Sequence, residues 1–189
     1  MSALPKRWIR AEELLQDSLR LASMVRESGF FPDVVVGLWR GGAPVAVALH
    51  EALRFHGVKA AHMPISTRLY SGIDQRDGQL RIDGLERLEP LLAAPARILL
   101  VDDVWDTGIT LCGVREAIAA LPGAARDVRT ATAWFKPGRN RSKSTPDYRV
   151  NESDDWLVFP HELEGLGIGE LREHRGEDFV RALLGTHRD

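Results

Sequence analysis

Apolar residues along this chain fall into short unbroken runs, separated by stretches with helical spacing. Val34-Val35-Val36-Gly37-Leu38 and Ile98-Leu99-Leu100-Val101 are runs of the first kind. Strands covered on both faces read this way, because neither side of the pleat has to be polar. Across residues 10–28, Leu14, Leu15, Leu19, Leu21, Ala22 and Val25 fall mostly on one side of a helix, and Ser28-Gly29 ends it. Pro44 stands where a second helix can begin, continuing from Val45 to Phe55. Val58 to Ile65 and Val128 to Phe135 are further strand candidates. Leu111, Val114, Ile118 and Leu121 keep helical spacing until Pro122-Gly123 stops them. Residues 66–90 are polar, rich in Gly and Asp and poorly periodic, which predicts a mobile loop with room for a short β-ribbon. Strand, helix, strand, loop, strand, helix, strand is the order of an α/β fold with a parallel sheet. Beyond about residue 137 the pattern changes. Lys136 to Pro146 is basic and loop-like, Asp147 to Pro160 suggests short extended segments, and Glu170 to Leu184 predicts a final helix packed beside the sheet.

A length of 189 residues suits one domain, expected over 1–189, with a core at about 10–136 and an appended part at about 137–189. The formal net charge of -2 argues against a surface built to coat nucleic acid. Cys112 is the single cysteine, so no internal disulfide forms, and a structural zinc site lacks its thiolates. Its place inside a helix reads as a packed side chain. His50, His56, His62 and His161 have no metal-ligand spacing and read as surface or helix residues. Met1 to Trp8 is basic but leads into no apolar stretch, and no window reaches the length of a membrane span. The expectation is a soluble cytoplasmic protein with no membrane partner. Neither Gly-x-x-x-x-Gly-Lys-Ser/Thr nor Gly-x-Gly-x-x-Gly occurs.

The chemistry-bearing segment is Val101-Asp102-Asp103-Val104-Trp105-Asp106-Thr107-Gly108-Ile109-Thr110. It joins a buried strand to a helix, and open parallel sheets bind ligands beyond the carboxyl ends of their strands. Free N–H groups at a helix start bind phosphate. Gly108 lets the backbone approach an anion, and Thr107 and Thr110 offer hydroxyls. Asp102 and Asp103 would repel phosphate unless they hold ribose hydroxyls or a magnesium ion. The plainer alternative is that Asp106 or Thr107 simply caps the helix while Asp102 and Asp103 are solvated.

This segment resembles the phosphoribosyl pyrophosphate (PRPP) motif of the type I phosphoribosyltransferases, matching it at every defining position. The resemblance implies a parallel-sheet core flanked by helices, with a small hood built from C-terminal, and in some members N-terminal, segments. It also implies that Asp102 and Asp103 hold the ribose hydroxyls, with Mg2+ as cofactor. The 5-phosphate would lie against Asp106, Thr107, Gly108, Ile109 and Thr110. In the 6-oxopurine branch the residue matching Asp106 works on purine N7 as a general base.

Four further stretches each have a plain reading and a family reading. Trp39-Arg40-Gly41-Gly42 is either a tight strand-to-helix turn or the family's pyrophosphate turn, in which Arg40 and Gly41 bind PRPP. A cis peptide is then expected at Trp39–Arg40 or Arg40–Gly41. The segment 66–84 carries Arg68, Tyr70, Arg76 and Arg81, as a solvated loop or as the family's mobile catalytic loop, with Leu69-Tyr70 or Tyr70-Ser71 only an imperfect match. Lys136 is either an exposed strand end or the lysine that contacts the oxygen at purine C6, since an ammonium donates well to a carbonyl. In Asp154-Asp155-Trp156-Leu157-Val158-Phe159-Pro160-His161-Glu162, Trp156 is either a core tryptophan or the family's stacking platform. In the latter reading Leu157 reads the base edge and Glu162 joins Asp102 and Asp103 in holding metal. This run is similar to microbial xanthine-guanine and hypoxanthine phosphoribosyltransferases.

The resulting expectation is purine salvage: phosphoribosyl transfer from PRPP to hypoxanthine, guanine or xanthine, in a homodimer or homotetramer. Two alternatives stay open. One is transfer to orotate, uracil or adenine. The other is a PRPP-sensing regulator that binds RNA or DNA, with Lys136, Arg139, Arg141 and Lys143 as its basic run.

Overall fold

The computed structural model describes residues 5–70, 79–91, 96–122 and 126–185, without the side chains of Leu69, Tyr70, Gln79, Glu89 and Arg126. Its elements in chain order are β1 (Lys6–Trp8), α1 (Ala11–Glu27), β2 (Val34–Trp39), α2 (Gly42–Phe55), β3 (Ala61–Tyr70) and β4 (Gln79–Asp83). After two 3₁₀ turns come β5 (Ala96–Trp105), α3 (Ile109–Ala119), β6 (Arg126–Phe135), β7 (Tyr148–Glu152), β8 (Trp156–Val158), α4 (Ile168–Arg175) and α5 (Glu177–Leu184).

Six strands form one sheet in the order β4-β3-β2-β5-β6-β7, parallel except for the β3–β4 pair. This is the α/β parallel sheet that the apolar runs predict, and the pleat explains why those runs are unbroken. Val35, Leu99 and Val101 point to the face covered by α1 and α2, where Leu21, Val45 and Leu49 meet them. Val34, Val36, Ile98 and Leu100 point to the other face, against Leu111, Val114 and Ile118 of α3. With both faces buried, period-two alternation has no polar side to show.

Three elements differ from expectation. The described residues within 66–90 are more ordered than a loop: β3 runs on to Tyr70 and pairs with β4 in a ribbon that sets Arg68 opposite Arg81. Helix α2 starts at Gly42, so Pro44 sits inside its first turn, where a missing N–H costs nothing. The single C-terminal helix is two, broken where Gly176 takes φ +89°. Arg76, Ser71 and Gly123 lie outside the described residues.

A second, two-stranded parallel sheet pairs β1 with β8. The N-terminal segment therefore does take part in the hood. Two strands alone are marginal in water, so this sheet depends on what packs against it.

Candidate active site

The strand order places a reversal between β2 and β5. The chain leaves β2 through α2 toward β3 on one side, and leaves β5 through α3 toward β6 on the other. Ligands bind at such a switch point, in the crevice between the diverging strand ends. Arg40-Gly41 ends the first strand, and Asp102-Asp103 lies near the end of the second.

These two strand ends are packed so closely that only glycine fits. A Cβ on Gly41 would lie 2.2 Å from Asp103 Oδ2, and one on Gly42 would lie 2.4 Å from the Val101 carbonyl oxygen. The two glycines let the turn after β2 rest on the acidic pair. The Trp39–Arg40 peptide is cis, the first of the two expected positions. Arg40 reaches outward, with a Nη2–Glu164 Oε2 separation of 3.5 Å at high exposure, and such a pair is strongly screened.

Asp103 is 6 % exposed. Burial first, and the neighbouring Asp103 carboxylate second, push Asp102 well above the ordinary carboxylate range. The amides of Asp103 and Gly42 hydrogen-bond to Asp102 and partly offset this. The solvated-aspartate alternative does not describe this pair. Asp103 Oδ2 also meets His161 Nε2 at 3.1 Å, while His161 Nδ1 is buried without a partner among the described residues. His161 therefore belongs to the site and is not a surface residue. Nothing in its spacing signalled this; only the approach of the segment after β8 to the end of β5 does.

Asp106 does not cap α3. Its Oδ1 accepts from Arg139 Nε at 2.6 Å, and its Oδ2 lies 3.6 Å from Lys136 Nζ. The helix begins on Gly108 at φ +79°, which has no side chain to cap it, and the Ile109 amide makes a long 3.4 Å bond to Thr107 Oγ1. The register Val104↔Trp134, Trp105↔Phe135 explains the Lys136–Asp106 meeting, since the next residues of adjacent parallel strands come together. Lys136 is 8 % exposed, so it is not the solvated strand end of the plain reading.

The basic stretch 136–144 braces this turn. The amides of Arg141 and Ser142 donate to the Thr107 carbonyl oxygen. Trp105 Nε1 donates to Asn140 Oδ1 at 3.2 Å. A Cβ on Gly108 would lie 2.4 Å from Ser142 Oγ. The sequence places Arg139 only in a candidate basic run, and neither its pairing with Asp106 nor this brace is legible there, although Pro137-Gly138 followed by Asn140 and Ser142 is a turn signal. Two members of the basic run, Lys136 and Arg139, thus face Asp106.

A cleft of about 1530 Å³ opens over the switch point. Among its lining residues are Arg40, Gly41, Asp102, Asp103, Thr110, Trp156 and Glu162. Asp106, Thr107, Gly108, Ile109, Lys136 and Leu157 do not line it. Trp156 is 56 % exposed and so is not a core tryptophan, whereas Leu157 is buried. Glu162 Oε2 accepts from the Phe159 amide at 3.2 Å. Thr67, not Arg68, faces the cleft. The Tyr70 side chain lies outside the described residues.

Residues 10–164 match the model of the phosphoribosyl transferase domain. The chain belongs to that family. It is thus a phosphoribosyltransferase, and the family's substrates are PRPP and a base. No curated protein matches the chain. Among solved structures, a purine phosphoribosyltransferase from Pyrococcus horikoshii Ot3 is 29% identical, with a TM-score of 0.67, covering 86% of this chain and 97% of that one. The Helicobacter pylori xanthine-guanine-hypoxanthine phosphoribosyltransferase is 21% identical with a TM-score of 0.63, covering 90% and 99%. A hypothetical protein from Neisseria gonorrhoeae with bound ppGpp is 19% identical with a TM-score of 0.67, covering 96% and 99%. Among the described residues, no helix of this phosphoribosyltransferase is long and apolar enough to cross a membrane.

Proposed function

We propose that this phosphoribosyltransferase uses a 6-oxopurine (hypoxanthine, guanine or xanthine) as acceptor, releasing a nucleoside monophosphate and pyrophosphate. The observation that carries this is the Lys136–Asp106 pair at adjacent strand ends. An ammonium there donates to a carbonyl at C6, and a carboxylate beside it accepts a ring N–H proton. An adenine amino group offers no acceptor to the ammonium.

In the proposed reaction a ring nitrogen of the base attacks C1 of the ribose. The C1–oxygen bond breaks, its electron pair leaves with pyrophosphate, and the base proton passes to Asp106. The amides at the start of α3, with Thr107 and Thr110, hold the 5-phosphate. Asp102 and Asp103 hold the ribose hydroxyls, and Arg40 and the Gly41 backbone face the departing pyrophosphate. Trp156 offers an exposed ring for stacking, and the reading of the base edge falls to the backbone of Leu157, whose side chain is buried. Arg68 and Tyr70 would act as the sequence suggests only if the β3–β4 ribbon folds over the cleft.

Mg2+ fits this donor set in a limited way. Among the described residues no three His, Cys, Asp or Glu side chains converge as a metal cage. One or two carboxylates from Asp102, Asp103 and Glu162, completed by substrate oxygens and water, is the arrangement magnesium favours. Bound there, it would neutralise charge on the leaving group.

Incubating the protein with magnesium, PRPP and each base in turn tests the reading. Pyrophosphate release with a 6-oxopurine is expected. Turnover only with adenine or a pyrimidine overturns it. The nucleotide-sensing alternative has one observation in its favour, the ppGpp held by the Neisseria protein. The engagement of Lys136 and Arg139 with Asp106 weighs against a nucleic-acid face.

The cleft is larger than the roughly 300–1,000 Å³ of a usual small-molecule pocket, because it continues over the outer sides of α1 and α2. Leu15, Leu19 and Val47 are exposed there, and Phe55 is 86 % exposed. We propose that a second copy covers this face, in a homodimer or a dimer of dimers. Light scattering should give twice or four times the chain mass, and Phe55→Glu should shift it toward the monomer.

A further inference from the structure

We infer that Arg175, in the tail beyond the matched domain, is a positioning residue for the base-side wall. The inference rests on the reading above that a purine stacks on Trp156.

The β1–β8 ribbon has only two strands, so something outside it must fix it. Arg175, the last residue of α4, reaches across both strands. Its Nη1 donates to the Ile9 carbonyl oxygen at 2.7 Å, one residue past β1. Its Nη2 donates to the carbonyl oxygens of Val158 at 3.3 Å and Phe159 at 3.1 Å, at the end of β8. The planar guanidinium has donors on two sides and spans both chains at once, which a lysine ammonium, as a single point, does not. Desolvation lowers the Arg175 pKa from its ordinary value, as expected for a cation held by carbonyl dipoles in a partly buried place.

The neighbours of Arg175 fix its own position. The guanidinium carbon lies 5.3 Å from the Trp8 ring centre, and Trp8 stacks on His174 at 4.3 Å. Lys6 pairs with Glu170 on the same helix. Arg7 lies 4.6 Å over the Trp134 ring, tying the ribbon to the main sheet.

What Arg175 grips is the middle of a functional span. Trp156 begins β8, and His161 lies two residues past Phe159, bonded to Asp103. Residues 156–161 therefore run from the base platform to the ribose carboxylates. One end of this span is anchored by His161, and Arg175 holds the carbonyls between. Without Arg175 the Trp156 end keeps its pairing with the short β1 strand and the packing of Leu157 in the core, but the carbonyls at the end of β8 lose their shared donor. The PRPP end keeps its own supports in β5 and the Gly41 turn. The loss should therefore fall on base binding.

The test uses the full chain with Arg175→Met and Arg175→Lys. For Arg175→Met the KM for the purine should rise about tenfold, while the KM for PRPP stays within about twofold. Arg175→Lys should fall between wild type and Arg175→Met. In the ligand-free protein, amide exchange should quicken across 156–162 in Arg175→Met and stay unchanged in β5. If Arg175→Met fails to fold, the same split measured on Arg175→Lys decides. Equal rises in both KM values, or no change in exchange across 156–162, overturns the inference. If wild type turns over no 6-oxopurine, the acceptor reading fails, and the exchange experiment alone still decides whether Arg175 fixes the ribbon.

Discussion

The two halves of the proposed site are built in different ways. The ribose-phosphate half is nearly contiguous: Val101 to Thr110 supplies the carboxylates, the turn and the helix start, the Arg40-Gly41 turn is added from outside, and His161 and the 136–144 stretch brace it. The base half is gathered from five places: β1, the end of β6, β8, the 160–162 turn and α4. A contiguous half has its geometry set by backbone rules of strand end, glycine turn and helix N-terminus, which leave little freedom. A gathered half depends on long-range contacts, each replaceable by another solution. The first should tolerate little variation in sequence, and the second should be where acceptor preference is tuned.

Asp106 stands where the halves meet, so changing it should produce the largest effect. Asp106→Asn keeps the shape but cannot take a proton, and it weakens the pairing with Arg139 and Lys136. A fall in kcat of about a hundredfold or more is expected, within the usual range for a general base. Steady-state rates with PRPP and the preferred purine measure it. A kcat near wild type would remove Asp106 from proton transfer.

Trp156→Ala should act on one half only. Stacking of a base on an aromatic ring contributes about 1–3 kcal/mol, so the purine KM should rise roughly tenfold. The PRPP KM should hardly change, and so should the melting temperature, because the ring is already exposed. A rise in the PRPP KM of the same size would mean that the halves are not separable.

The same division explains what the sequence could disclose. The unbroken apolar runs, the acidic motif and the Trp39–Arg40 turn were readable because their causes are local: pleat burial, helix starts, and glycines where no Cβ fits. The β3–β4 ribbon is legible only as an option within a loop, because residues 66–90 lack periodicity in sequence and the order of Ser66–Tyr70 and Gln79–Asp83 comes from cross-strand pairing. The places of His161 and Arg139 in the site are not legible because each meets a partner far away in sequence, Asp103 and Asp106. Gly176 inside Glu170 to Leu184 was a visible break that helical spacing on either side outweighed. The role of the tail was unreadable, since Arg175 binds backbone oxygens, which have no sequence signature.

The gentlest difference between the halves should appear in stability without ligand. Asp102 is held where burial and Asp103 oppose its charge, so its folded pKa is raised. Protonation then favours the fold: the gain is complete below the ordinary carboxylate pKa of 3.8 and is lost as pH rises through the higher folded value. At neutral pH the free protein therefore carries a penalty that it does not carry in acid. Asp102→Asn keeps an oxygen to accept from the amides of Asp103 and Gly42 while removing the charge. It should stabilise the ligand-free protein by about 1 kcal/mol, a rise in melting midpoint of about 2–4 °C for a chain of this size. PRPP binding should weaken in the same variant. Calorimetry without magnesium at neutral pH, repeated at about pH 4, checks both the sign and its cause, because the advantage over wild type should shrink in acid. A lowered midpoint at neutral pH would mean that hydrogen bonds to the carboxylate outweigh its repulsion. The ribose-phosphate half would then be built for stability as well as for binding, and the contrast with the base half would lie in assembly alone.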